Sequence, residues 1–263
     1  MNVEVLFLPT VAVDLPSKLC IVIDELRATS TLMKMFEAGA RQVALAEGPR
    51  SALEIASSLA EGCPICGERG GLPPAGFTHG NSPREFVPGS LEGKDFVFCT
   101  SNGTKAMWEV SKGAVVLAGS LFNATAVVGT ALREAREKGL NISLVCSGDI
   151  LGTKFAIDDA FAAGYMALLL QRESRADGMG DVEWLESATA AVRLYRSYLA
   201  ELGATDQEHN PPKEAILRAF WESLNARELE KVGLSADVDY CAQVDISTKV
   251  PRLHVEGDRL VLC

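Results

Sequence analysis

Five acidic side chains, Asp24, Glu68, Asp149, Asp158 and Asp159, stand in or beside segments otherwise rich in Gly, Ser, Thr and Asn. That combination suits a divalent cation shared between protein and phosphate. Mg²⁺ usually takes one or two carboxylates, several waters and substrate phosphate oxygens. A water on such a cation could attack phosphorus while the cation and Arg27 neutralise the developing charge. Arg27 lies three residues after Asp24 and could clamp two phosphate oxygens at once. Asp158 and Asp159 are adjacent on one predicted helix, about 100° apart, so the two need not face the same site.

The uncharged donors fall into three groups. Thr29, Ser30 and Thr31 open a predicted helix just after Asp24, where unpaired N–H groups and the helix dipole favour an anion. Ser101-Asn102-Gly103-Thr104 supplies hydroxyls and an amide around a glycine that lets backbone approach a ligand. Ser120 and Asn123 follow a third apolar run. Each group also has a plainer structural reading, since Ser, Thr and Asn cap helices and Asn-Gly marks a turn.

Missing patterns narrow the chemistry. There is no GxGxxG and no GxxxxGK[ST], so common nucleotide signatures are absent. Asp24-Glu25-Leu26 lacks the second aspartate of aspartyl-phosphate phosphatases, and six residues rather than five separate Cys20 from Arg27. No Arg-His-Gly occurs. Cys63-Pro-Ile-Cys66 has zinc or redox spacing, but no second CxxC completes a zinc site, so it reads as the edge of a strand. The histidines are His79, in a long loop, His209 and His254.

The elements that must carry these residues repeat one pattern: an apolar run, then small polar residues, then helical spacing. It occurs at Cys20–Asp24, Phe96–Thr100, Ala114–Gly119 and Ile142–Cys146. Strands alternating with helices imply βαβ units, a mostly parallel sheet and a layered α/β/α fold. The right-handed crossover then places all four strand-to-helix loops along the carboxyl edge of that sheet. Residues 67–83 form a long Gly/Pro-rich connection of the kind that is functional or disordered. Two helices are expected between Val182 and Val232, and a hairpin turning at Glu256-Gly257-Asp258 ends the chain. The whole, 1–263, reads as a single unit, with any sub-domain division near 110–180.

Composition sets the outer bounds. The chain has 263 residues, 48% hydrophobic and 23% charged, enough for a sizeable core without extensive disorder. A net charge of −10 argues against a nucleic-acid partner, yet a local site can still hold a small anion. The cysteine count is odd, and Cys20, Cys99 and Cys146 sit in apolar runs, which suits buried thiols in a reducing cytoplasm. The first residues lack a signal peptide's positive region, and apolar stretches such as Phe161–Leu170 are too short to cross a bilayer. A soluble protein without a membrane partner is expected, with homo-oligomerisation left open.

Several segments together resemble the 2-phosphosulfolactate phosphatase family. They are Ile23-Asp24-Glu25-Leu26-Arg27-Ala28-Thr29-Ser30-Thr31, Gly67-Glu68-Arg69, Gly80-Asn81-Ser82-Pro83, Thr100-Ser101-Asn102-Gly103-Thr104, Gly119-Ser120 with Asn123, Cys146 with Gly148, and Ala236–Ala242. The resemblance implies Mg²⁺-dependent hydrolysis of 2-phospho-3-sulfolactate to 3-sulfolactate and phosphate, on the route to coenzyme M. With it come expected roles. Asp24, Arg27, Glu68 and Asp159 are catalytic, and Asp24, Glu68, Asp158 and Asp159 are Mg²⁺ ligands. Thr29, Ser30, Thr31, Arg69, Asn81, Ser82, Ser101, Asn102, Gly103, Thr104, Ser120 and Asn123 bind a small anionic phosphate ester. This chain departs from the pattern at Glu25, at Thr78-His79 and at Asp158, which leaves room for another carboxylated or sulfonated ester, or for a non-catalytic anion binder.

Overall fold

The structure, a computed structural model, describes residues 1–60, 62–178, 180–207 and 210–263; His209 lies outside them. In chain order the elements are β1 (Asn2–Leu6), β2 (Lys18–Ile23), α1 (Ala28–Glu37), β3 (Gln42–Leu45), α2 (Pro49–Leu59), β4 (Ile65–Gly67), β5 (Asp95–Cys99), α3 (Gly103–Glu109), β6 (Val115–Gly119) and α4 (Ala124–Lys138). Then come β7 (Asn141–Cys146), α5 (Ile157–Ala176), β8 (Glu183–Trp184), α6 (Glu186–Ala200), α7 (Lys213–Glu222), α8 (Leu224–Lys231), α9 (Ala236–Cys241), β9 (Leu253–Glu256) and β10 (Arg259–Leu262).

The fold is α/β, and its strands form two sheets rather than the one expected. The first, ordered β6-β2-β7-β1-β8, is parallel throughout. The second, ordered β4-β5-β3-β10-β9, is parallel from β4 to β3 and closed by the antiparallel C-terminal hairpin. The expectation that Phe96–Thr100 shares a sheet with the other three apolar runs is therefore corrected: β5 pairs with β3 and β4. The sheets adjoin at an edge, where the Ala118 N–H donates to the Pro251 carbonyl just ahead of β9 (2.9 Å).

β2 shows why apolar runs become central strands. Leu19, Ile21 and Ile23 enter the core shared with α4, α5 and α6, while Cys20 and Val22 enter a second core with α1, α3 and side chains of the other sheet. Burial on both faces removes the need for polar alternation. α1 and α3 thus lie between the sheets, and α2 covers the outer side of the second one. Between Val182 and Val232 the described residues hold three helices, α6, α7 and α8, where two were expected. Ser223 separates α7 from α8, its hydroxyl accepting from the Ala226 N–H (3.0 Å). Helix α4 stops at Gly139, whose φ of 65° is the left-handed cap that glycine adopts without strain. No helix among the described residues is long and apolar enough to cross a membrane.

Candidate active site

Loops from both sheets meet in one cavity of about 150 Å³. Asp24 and Arg27 reach it from the end of β2, Glu68 from the end of β4, and Ser101 and Asn102 from the end of β5. Asn81 comes from the long loop, Asp149 from the end of β7, and Asn225, Glu228 and Leu229 from α8. Asn225 and Glu228 carried no sequence signal, because polar residues on a helix read first as a solvated face.

Asp24 follows the last residue of β2 and folds back on the helix it precedes. Its Oδ1 accepts from the Ala28 N–H (2.9 Å), and its carbonyl accepts from the Thr29 N–H (3.0 Å) and hydroxyl (2.8 Å). The first donors of α1 are thereby satisfied within the protein. The hydroxyls of Ser30 and Thr31 donate to the carbonyls of Glu25 (3.1 Å) and Asn81 (3.0 Å). Thr29, Ser30 and Thr31 are fully buried and hold the loop's shape; none of them lines the cavity. Burial pushes the Asp24 carboxyl up to about 6, against the opposing pull of the Ala28 N–H.

Glu68 joins two loops. Its Oε1 accepts from the Ser101 N–H (2.7 Å) and its Oε2 from the Gly71 N–H (3.0 Å). A carboxylate has about four lone-pair directions, so each oxygen keeps capacity for a further partner. Arg27 is buried, donating from Nη1 to Asp237 Oδ2 (2.5 Å) and from Nη2 to the Gly71 carbonyl (2.9 Å). Asp237 also accepts from the Ser82 hydroxyl (2.8 Å). It therefore fixes both Arg27 and the loop carrying Asn81. Asp237 was not among the sequence candidates, although it lies in the Ala236–Ala242 segment that contributes to the resemblance.

Other expected contacts turn inward. Arg69 donates to the carbonyls of Glu68 (2.7 Å) and Glu47 (3.2 Å) and lies outside the cavity lining. The Thr104 hydroxyl donates to the Thr100 carbonyl (2.8 Å) and closes the turn after β5. Asn123 accepts from the Ser120 N–H (2.9 Å) and donates to the Lys249 carbonyl (2.8 Å), bracing the turn after β6. Gly103 packs where a Cβ would stand 2.5 Å from Ala28 Cβ and 2.7 Å from Asp24 Oδ2. Cys66 donates its thiol proton to the Gly80 carbonyl, and all seven cysteines are free thiols.

Asp158 and Asp159 lie behind the cavity, at the start of α5, and neither lines it. Asp159 Oδ1 accepts from the Glu25 N–H (2.9 Å), and Oδ2 accepts from the Ser147 hydroxyl (3.0 Å) and the Gly148 N–H (3.1 Å). It ties the end of β2 to the end of β7. Asp158 accepts from Asn225 Nδ2 (3.3 Å), connecting α5 to α8. Burial and neighbouring acids raise both, Asp158 to about 7. Glu25, fully buried beside them, is also raised, chiefly by burial, and accepts at Oε1 from the Leu121 N–H (2.8 Å).

The cavity wall carries four carboxylates, Asp24, Glu68, Asp149 and Glu228, against one guanidinium that Asp237 already engages. An anion entering alone would be repelled. Among the described residues no three His, Cys, Asp or Glu side chains form a self-sufficient metal cage. Mg²⁺ does not require one, because water and substrate oxygens complete its shell. Asp24 and Glu68, opposite each other in sequence origin but lining one cavity, fit that sparse donor set.

Comparison with known proteins adds an independent line. The family described as 2-phosphosulpholactate phosphatase matches residues 9–256. A protein of Carboxydothermus hydrogenoformans named probable 2-phosphosulfolactate phosphatase is 30% identical over 262 residues, covering 100% of this chain and 97% of its own. Proteins of the same name from Deinococcus radiodurans and Thermus thermophilus are 36% and 34% identical, covering 90% and 89% of this chain and 88% and 87% of theirs.

Proposed function

The chain belongs to the 2-phosphosulfolactate phosphatase family, and we propose that it hydrolyses 2-phospho-3-sulfolactate to 3-sulfolactate and phosphate with Mg²⁺. The observation that carries this reading is the acidic cavity. Four carboxylates facing one engaged arginine make a poor anion receptor and a good receptor for a cation that brings an anion with it. Asp24 and Glu68 would hold Mg²⁺, which when bound supplies charge neutralisation for the phosphate and a more acidic water. Arg27, held rigid by Asp237 and Gly71, presents its remaining N–H groups to an oxyanion. Asn81 and Asn102, which both line the cavity, offer amide donors. Asp159 acts by fixing the Asp24–Glu25 backbone, and Asp158 by holding Asn225 at the cavity edge.

In this reading the product serves the route to coenzyme M, and the free thiols suit a reducing cytoplasm. Phosphate release should be measured with 2-phospho-3-sulfolactate, 2-phospholactate and other small carboxylated esters, each with Mg²⁺ and with EDTA. The sulfonated ester should give the highest kcat/KM, and EDTA should abolish turnover. Preference for an unsulfonated ester would reassign the substrate. Tight binding of every ester without release would leave a small-anion binder.

A further inference from the structure

The loop after β7 has a backbone that its sequence does not favour. Ile150 and Leu151 have φ values of 46° and 58°, between Gly148 at 67° and Gly152 at 71°. Glycine adopts this left-handed region freely, whereas a β-branched isoleucine rarely does. Burial does not compensate, because the two side chains are 47% and 53% exposed. Within the loop, Asp149 and Lys154 exchange backbone hydrogen bonds (2.8 and 2.9 Å), and the Thr153 hydroxyl donates to the Ile150 carbonyl (2.6 Å).

Leu151 makes two hydrogen bonds to the segment after β5. Its N–H donates to Asn102 Oδ1 (2.9 Å), and its carbonyl accepts from Lys105 Nζ (2.8 Å). Asn102 lines the acidic cavity; Leu151 and Lys105 do not. An asparagine amide presents an acceptor on one side and two donors on the other. In a cavity walled by carboxylates, its orientation decides whether it attracts or repels a phosphate oxygen. The Leu151 N–H occupies the acceptor side, which leaves the N–H₂ group for the cavity.

We propose that Leu151 is a positioning residue. The strained loop 149–152, locked by Lys105, holds the Asn102 amide so that it donates to the substrate phosphate. This rests on the phosphatase reading above. The contacts to Asn102 and Lys105 hold the Leu151 peptide in a conformation that leucine does not favour by itself.

The test is a double-mutant cycle on the intact protein, reading KM and kcat for whichever ester the wild type hydrolyses, the inhibition constant of inorganic phosphate, and Tm. Lys105→Met removes the lock, whereas Leu151→Gly keeps the N–H and adopts the same φ without strain, so it is the control that should leave KM unchanged. Lys105→Met should raise KM and the phosphate inhibition constant about tenfold, the loss of one hydrogen bond to a charged group. Tm should hold in both, and Lys105→Arg should restore KM. In an Asn102→Ala background, Lys105→Met should have no further effect. Additive losses would mean that Lys105 acts through its charge or the loop acts elsewhere, and the inference would be wrong. Parallel losses of Tm and activity would reduce the loop to scaffold and overturn it as well. A wild type that neither releases nor binds phosphate would instead remove the phosphatase reading, and this inference with it.

Discussion

Asp24 has two opposed duties. As the cation ligand proposed above it must be ionised, yet burial lifts its pKa from the usual range to about 6. An acid whose folded pKa lies above its unfolded value destabilises the fold once ionised. That cost is absent below the unfolded pKa near 3.8, grows as pH rises, and is complete above about 6. Asp24→Asn keeps an acceptor for the Ala28 N–H and removes the charge. In EDTA it should therefore raise Tm at pH 7.5, and that gain should vanish near pH 4, as thermal melts across the range will show. Phosphate release should fall below detection in the same variant, and Mg²⁺ should raise Tm of the wild type only. A variant with wild-type turnover would remove Asp24 from the site. The sequence shows Asp24 as an acid at the end of a strand, but not that its neighbours Thr29, Ser30 and Thr31 direct their hydroxyls at carbonyls. Residue type announces a donor; only the fold says which acceptor takes it.

At the level of elements, the site depends on how closely two turns approach. The turn after β2 and the turn after β5 come from different sheets and meet at Gly103, against Ala28 and Asp24. A methyl group there has no room. Gly103→Ala should cost about 1–3 kcal/mol of stability, the usual penalty of overpacking a tight site. It should also reduce kcat by more than the folded fraction explains, because the Asp24 carboxylate is one of the groups that must move. Gly129→Ala in α4 is the control, since nothing lies within 4 Å of its added Cβ. There the change should stabilise by up to about 1 kcal/mol through helix propensity and leave kcat alone. Equal behaviour of the two variants in chemical denaturation would refute the close-approach argument. The apolar runs of β2, β5, β6 and β7 were legible because buried parallel strands need no polar alternation. Their partition into two sheets was not, because pairing is a property of distant segments. β3 shows the same limit: four residues, Gln42–Leu45, are too short for periodicity to announce them, yet they pair with both β5 and β10.

Across the whole molecule, one electrostatic feature unites fold and chemistry. A chain of net charge −10 encloses a cavity whose wall carries four acids. Composition foretold the global sign, and the acids at 24 and 68 were visible beside their loops. The contribution of α8 was not, because Asn225 and Glu228 reach the cavity only through packing of the helical region against α5. The resulting field should act on association before any contact forms. Enzymes that steer an oppositely charged substrate lose kcat/KM as salt rises. Here protein and ester repel, so the sign reverses. At saturating Mg²⁺, raising ionic strength from about 0.01 M to about 0.15 M shortens the screening length from about 30 Å to about 8 Å. Over that interval kcat/KM should rise severalfold while kcat stays level, because chemistry begins only after the ester has passed the mouth. A fall in kcat/KM over the same interval, measured in a non-chelating salt, would mean that Arg27 and bound Mg²⁺ dominate the field at the entrance and that the acids are neutralised before the substrate arrives.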